Sequence, residues 1–148
     1  MASNIGATKK AGMSENRKIE VYTDGACPLC RWSRGQVEPL DTNHRLAWFD
    51  FRTPEAQQRA APHTAQELAE EMYVRRTDGT WIRGFAGWIE VLNALPRTKM
   101  LARVLGLWPF RTVGPVFYRS LARRRFSLFG VPPPCDTSGA CALHARKN

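Results

Sequence analysis

A pair of cysteines between a strand-like segment and a helix-compatible segment constrains this chain more than any other feature. Cys27 and Cys30 enclose a Pro-Leu dipeptide, and the run Ile19–Thr23 before them has the β-branched and aromatic residues of a strand. The first turn of a helix carries unpaired N–H groups and the positive end of the helix dipole, which favour a thiolate over a thiol. The spacing also lets the second sulfur attack a mixed disulfide formed on the first. The motif therefore predicts a thiol-disulfide redox site.

The composition limits the class of protein. The chain has 148 residues, enough for one compact domain with its own core, and four cysteines are too few for a disulfide-stapled secreted scaffold. No apolar run approaches the ~20 residues that span a bilayer. Residues 1–18 are polar and lack the hydrophobic segment of a secretory signal. We therefore predict a disordered tail at residues 1–18 and a cytoplasmic location.

Apolar spacing and turn signals predict the order β-α-β-α-β-β-α over residues 19–98. The run Leu46–Phe51 is apolar enough to be a central strand, parallel to the first. The helix before it is expected to turn Trp32, Val37 and Leu40 inward.

Three further signals complete this order. Thr64 has the spacing of a capping box, Asp78-Gly79 lies between two strand-like runs as in a hairpin, and Trp88–Leu95 repeats at helical spacing. The pattern predicts a thioredoxin-like α/β core at residues 19–98, with a four-stranded mixed sheet flanked by helices.

The end of the chain differs from the core in charge. Residues 1–98 hold 13 Lys/Arg and 12 Asp/Glu, whereas residues 99–148 hold nine Lys/Arg and only Asp136. We predict a basic extension of two helices packed on the core at residues 99–130, Lys99–Trp108 and Val113–Phe129, separated by Pro109. Residues 131–148, with three consecutive prolines, are predicted to be an irregular tail.

Aromatic residues alternate with arginines in this extension, which is compatible with binding to nucleic acid or to an anionic membrane. However, Val116, Phe117 and Leu121 follow helical spacing. The pattern favours an apolar face packed on the core with the arginines outside. Contact with nucleic acid or an anionic membrane is therefore the less favoured interpretation.

The run Asp24-Gly25-Ala26-Cys27-Pro28-Leu29-Cys30 resembles the signature Asp-Gly-x-Cys-x-Leu-Cys of the DCC family of thiol-disulfide oxidoreductases. The likeness covers roughly residues 19–130 and includes Asp78-Gly79 with Gly84 and Ala86. It also includes Tyr118, Ala122 and Arg125, which are similar to that family's later Tyr…Ala…Arg helix. The resemblance implies a thioredoxin-like fold and dithiol chemistry. Thioredoxin-fold oxidoreductases usually place a cis-proline just before the third strand, where this chain has residues 69–72.

The motif assigns a role to each of three residues. Cys27 is the candidate nucleophile, because it lies nearest the helix start and is expected to be accessible, and Cys30 is the candidate resolving thiol. Asp24 has two readings: a general base that takes the proton of the resolving thiol, or a turn residue that binds local N–H groups. The scheme requires no cofactor. Its partners are a disulfide-containing protein or small-thiol substrate and a separate reductant, and we expect a monomer.

Two cysteines near the end of the chain leave alternatives open. Cys135 and Cys141 are either incidental thiols, a second disulfide that exchanges with the first pair, or zinc ligands together with Cys27 and Cys30, with His144 as a spare ligand. The competing functions are therefore a zinc-stabilised binding module and a basic adaptor without catalysis.

Overall fold

The computed structural model describes residues 18–130. The strands are β1 (Ile19–Thr23), β2 (Leu46–Asp50), β3 (Tyr73–Arg75) and β4 (Trp81–Arg83). The helices are α1 (Pro28–Val37), α2 (Pro54–Arg59), α3 (Ala65–Glu70), α4 (Gly84–Ala94), α5 (Lys99–Leu105) and α6 (Trp108–Phe129), and the 3-10 helix Glu38–Leu40 follows α1. Except for Lys18, the tails predicted at residues 1–18 and 131–148 lie outside the described residues.

The strands form one mixed sheet in the order β2-β1-β3-β4. β1 runs parallel to β2 and antiparallel to β3, and β3 and β4 form the predicted hairpin. This four-stranded sheet with flanking helices confirms the predicted thioredoxin-like α/β fold. The prediction that the second strand is central is wrong, because β2 is an edge strand. The central strands are β1 and β3, where Val21 and Val74 have no exposed surface.

Consecutive residues of β1 point to opposite faces of the sheet, and each face has its own hydrophobic core. Val21 packs in one cluster with residues of α1 and α4, including Val37 and Val91. Tyr22 packs in the other with residues of α2 and α3, including Leu68. Burial of each such side chain contributes about 1.5–3 kcal/mol. The first of these cores, through Val37, holds α1 and with it the cysteine motif against the sheet.

The structure corrects two details of the core helices. The pattern missed α2, although Thr53 caps it by accepting a hydrogen bond from the N–H of Ala56, and Pro54 fills its first turn. Trp32 is 64% exposed, against the prediction that it faces inward with Val37 and Leu40. Five residues separate Trp32 from Val37, which is about 140° around a helix, so both cannot face the core.

The basic extension also differs from its prediction. The break between α5 and α6 lies before Trp108, and Pro109 sits in the first turn of α6, where its missing N–H costs nothing. Val116 and Phe117 are 67% and 69% exposed, whereas Arg125 is buried. The predicted apolar face packed on the core, with the arginines outside, is therefore wrong at these positions. None of the helices within residues 18–130 has the length and apolar character that a membrane crossing requires.

Candidate active site

The cysteine motif begins one residue after the turn that follows β1. Cys27 is the N-cap of α1 with an extended backbone (φ −72°, ψ 120°), and Pro28 takes the first helical position. The carbonyl of Cys27 accepts the first helical hydrogen bond from Arg31 at 3.0 Å. The sequence prediction of two thiols at the start of a helix is confirmed, and Cys30 lies in the first turn, near the Cys27 sulfur.

A buried ion pair holds the turn before Cys27. Arg52, just beyond β2, donates to both carboxylate oxygens of Asp24, from Nε at 2.6 Å and from Nη2 at 3.0 Å. Asp24 also accepts from the N–H of Ala26 at 3.0 Å, and both charged residues are buried. This bidentate geometry is the strong form of an arginine–carboxylate contact. The contacts match the turn reading of Asp24, and its role as a general base stays a prediction.

A second carboxylate ties the same turn to the end of β2. Asp50 Oδ1 accepts from the N–H groups of Gly25 and Arg52, each at 3.0 Å. A β-carbon on Gly25 would overlap the Asp50 carboxylate, so a larger residue there would have to displace the side chain that binds this turn. Asp50 and Arg52 thus join the end of β2 to the turn that precedes the thiol pair.

The environment lowers the pKa of the Cys27 thiol and raises that of the Cys30 thiol. A hydrogen bond from the Cys30 thiol is the largest cause that lowers the pKa of Cys27 to about 6. The Cys30 N–H and the positive charge of Arg125 act in the same direction, while burial and Asp24 oppose them. The hydrogen bond to Cys27, followed by burial, raises the pKa of Cys30. The geometry therefore favours one thiolate, on Cys27, stabilised by a protonated Cys30.

The exposure of the two sulfur-bearing residues contradicts one expectation. Cys27 has no exposed surface, whereas it was expected to be accessible, and Cys30 is half-buried. The N–H of Cys27 donates to the carbonyl of Asp24 at 3.2 Å, which holds Cys27 against the turn. Cys30 and Asp24 both line a cavity of about 320 Å³ between α1, α4 and α6. Its wall is mainly apolar, and includes Leu29, Leu68, Met72, Phe85, Trp88, Leu92, Leu105, Phe117 and Leu121.

Helix α6 closes this cavity by binding the segment before β3. Tyr118 Oη accepts from the N–H of Met72 at 3.1 Å, and Arg125 Nη2 donates to the carbonyl of Ala69 at 2.5 Å. Burial is the main cause that raises the pKa of Tyr118 to about 12. This is the position where the related folds usually carry a cis-proline, and here the cis peptide bond is Ala61–Pro62, before α3. At that position, Tyr118 and Arg125 of α6 thus form hydrogen bonds with the backbone of the segment before β3.

Arg125 is a buried charge beside the thiols. It is 6% exposed, lines the same cavity as Cys30, and has no carboxylate within ion-pair distance among residues 18–130. Its Nε also has no hydrogen-bond partner there. The Tyr…Ala…Arg spacing singled out Arg125 without giving its position, whereas nothing in the sequence pointed to Arg52.

Metal binding depends on residues outside the described part. Within residues 18–130, no three His, Cys, Asp or Glu side chains are grouped so that they could hold a metal ion. Cys135, Cys141 and His144 lie outside the described residues, so the second disulfide and the zinc site stay predictions.

Comparison with known proteins gives one match. The model of a family described as DCC1-like thiol-disulfide oxidoreductase matches residues 21–131, three quarters of the chain. No curated protein and no solved structure matches.

Proposed function

The chain belongs to the DCC1-like thiol-disulfide oxidoreductase family, and we propose that it exchanges disulfides through Cys27 and Cys30. The observation that carries the proposal is the placement of both thiols at the start of α1, with Cys27 at its N-cap and Cys30 in its first turn. There the Cys30 thiol is the largest cause that lowers the pKa of Cys27 to about 6. A thiolate on Cys27 is the nucleophile such exchange requires, and a thiol one helical turn away is placed to resolve the product.

The reaction proceeds in two displacements. The Cys27 thiolate attacks one sulfur of the substrate disulfide, forms a mixed disulfide and releases the first substrate thiolate. Cys30 then loses its proton and attacks the Cys27 sulfur, which forms the Cys27–Cys30 disulfide and releases the second thiolate. The substrate gains two electrons and the protein loses two, and a separate thiol reductant returns them in the next cycle.

We propose the cavity beside Cys30 as the route by which a disulfide reaches the pair, because Cys27 itself is buried. Asp24 lines the same cavity, which supports it as the acceptor of the Cys30 proton. Its two hydrogen bonds from Arg52 oppose that role, because they already occupy both oxygens of the carboxylate.

The remaining assignments are also proposals. The substrate is a disulfide-containing protein or a small disulfide, no bound cofactor enters the scheme, and the protein acts as a cytoplasmic monomer. The low number of cysteines supports this compartment, since a secreted domain of this kind would use them as staples.

A titration with reduced and oxidised glutathione tests the proposal. The full chain is equilibrated at a series of potentials, alkylated, and analysed by mass spectrometry for the oxidation state of each cysteine. We expect a reversible two-electron transition of Cys27 and Cys30 that is absent from Cys27→Ser and from Cys30→Ser. Absence of the transition from the unmodified protein would contradict the proposal, and stoichiometric zinc in the same sample would favour the zinc-stabilised module.

The same variants test which thiol attacks. Cys30→Ser retains the proposed nucleophile without its resolving partner, so we expect it to accumulate a mixed disulfide with glutathione on Cys27. Cys27→Ser should remain largely unmodified at Cys30, because burial still raises the pKa of that thiol once Cys27 is gone. Accumulation on Cys30 of Cys27→Ser, and not on Cys27 of Cys30→Ser, would reverse the two roles.

A further inference from the structure

The exposed large apolar side chains of this protein are concentrated on its last two helices. Among residues 18–130, every such side chain except Trp32 lies between Met100 and Phe129. We call this region the α5–α6 surface, and its exposed apolar members are Met100, Leu101, Val104, Leu107, Trp108, Phe110, Val113, Val116, Phe117, Leu128 and Phe129. Single exposed apolar residues are ordinary, but a group of this size on adjacent helices marks an interaction surface.

Most of these exposed apolar residues follow one another along the chain from the end of α5 into the first half of α6. Met100, Leu101 and Val104 repeat at the spacing of one helical side, and the chain passes from Leu107 directly into Trp108, which is 83% exposed. The inward side of α6 is occupied by Tyr118 and Arg125, which bind the segment before β3. Trp108, Val113 and Val116 are 83%, 64% and 67% exposed and face away from the core, whereas Phe117 also lines the cavity beside Cys30.

The same two helices carry only positive charge. Residues 99–130 contain one lysine, six arginines and no acidic residue. All of these cations except Arg125 are exposed, namely Lys99, Arg103, Arg111, Arg119, Arg123 and Arg124. Exposed apolar residues that include Trp and Phe, together with exposed arginines and no acidic residue, are a composition that suits contact with an anionic bilayer interface.

Charge and apolar character together distinguish an anionic bilayer from the other candidate partners of this surface. Two copies of the chain would bring identical positive surfaces together, which like-charge repulsion disfavours. Residues 131–148 also carry more positive than negative side chains, so they do not complement the surface. Nucleic acid would use the arginines but would leave the aliphatic side chains Met100, Leu101 and Val104 without a partner. An anionic lipid layer complements both the charge and the apolar groups.

We propose that the α5–α6 surface binds peripherally to anionic lipid bilayers, with Trp108 and its apolar neighbours at the level of the headgroups and the arginines on the lipid charges. This binding uses neither thiol. It therefore stands or fails independently of disulfide exchange.

Sedimentation with lipid vesicles tests the proposal on the full chain. Vesicles of phosphatidylcholine alone are compared with vesicles that also contain phosphatidylglycerol. We expect binding to the anionic vesicles that is at least about tenfold stronger than to the neutral ones and weakens with added salt. Equal binding to both, or binding to neither, would overturn the proposal.

Paired substitutions separate the apolar and charged contributions. Trp108→Ser and the double variant Arg123→Gln/Arg124→Gln should each weaken binding to anionic vesicles by about tenfold or more. The matched controls are Trp32→Ser, the exposed tryptophan outside the surface, and Lys18→Gln/Arg45→Gln, two exposed cations of the core; both should bind as the unmodified protein does. Circular dichroism of each variant checks that the fold is retained.

Three outcomes would replace the proposal with another. If the arginine variant loses binding and Trp108→Ser does not, the chain adsorbs by charge alone and does not enter the interface. If analytical ultracentrifugation shows a dimer that Trp108→Ser dissociates, the surface joins two copies. If a single-stranded oligonucleotide displaces the protein from anionic vesicles and its own binding needs Trp108, the ligand is nucleic acid.

Discussion

Removing the side-chain donor of Cys30 should raise the pKa of Cys27 measurably. The hydrogen bond from the Cys30 thiol is the largest cause that lowers the pKa of Cys27 to about 6. At about pH 7 such a thiol is about nine-tenths ionised, whereas an unperturbed cysteine with a pKa of about 8.5 is only about 3% ionised. Cys30→Ala deletes the donor, and Cys30→Ser keeps a hydroxyl donor at the same position.

The size of the effect follows from the energy of a hydrogen bond to a charged group. That energy is about 1.5–3 kcal/mol, and about 1.4 kcal/mol corresponds to one pH unit. A thiol is a weak donor, so the lower end of the range applies. We therefore expect Cys30→Ala to move the midpoint of Cys27 ionisation about one pH unit higher. Cys30→Ser should leave the midpoint near that of the unmodified protein.

The ultraviolet absorbance of the thiolate, followed against pH in the reduced protein, measures this midpoint without requiring a reagent to reach buried Cys27. Each curve is corrected by the same variant carrying Cys27→Ser, which removes the contribution of the other thiols. A midpoint of about 8.5 in the unmodified protein would refute the assigned thiolate. Identical curves for Cys30→Ala and Cys30→Ser would refute the hydrogen bond as its cause.

Two further predictions concern stability. Asp24→Asn removes the buried carboxylate that binds Arg52 through two hydrogen bonds, and should lower the free energy of unfolding in urea by about 3–5 kcal/mol. As a control, Glu38→Gln breaks the exposed ion pair with Arg34 and should lower it by less than about 0.5 kcal/mol. Equal losses for the two variants would contradict the claim that burial makes the Asp24–Arg52 pair more important. Because the folded state lowers the pKa of Cys27 from its usual value of about 8.5 to about 6, the folded protein binds fewer protons than the unfolded chain between these values. The free energy of unfolding of the reduced protein should therefore rise with pH in that window by up to about 1.4 kcal/mol per pH unit, and this gain should disappear as pH falls through about 6. Urea denaturation at several pH values, with Cys27→Ser as the control, checks the slope; a slope unchanged by the substitution would show that other groups cause it.

The features that the sequence predicted correctly are local ones. Cys27 and Cys30 fall at the start of a helix because a strand, an Asp-Gly turn and a proline at the first helical position follow one another directly. The hairpin at Asp78-Gly79 and the capping box at Thr64 depend in the same way on neighbouring residues. Such signals act over a few residues of backbone, so one sequence is enough to read them.

The features that the sequence did not predict depend on contacts between distant residues. Arg52 reaches Asp24 across 28 positions, and Arg125 reaches Ala69 across 56. No periodicity records such a pairing, because it is set by how the ends of β1 and β2 meet and by where α6 docks.

The orientation of α6 shows most clearly the difference between what the sequence predicts and what only the tertiary structure sets. Its sequence determined a basic helix with apolar residues at helical spacing, but several sides of that helix were apolar enough to face the core. Tyr118 on Met72 and Arg125 on Ala69 select one of them, and this leaves Val116 and Phe117 exposed. The local sequence thus determined the helix and the thiol pair, because both follow from backbone propensity and spacing. Only the tertiary structure decided which side chains are buried, because burial depends on the surface that each helix meets.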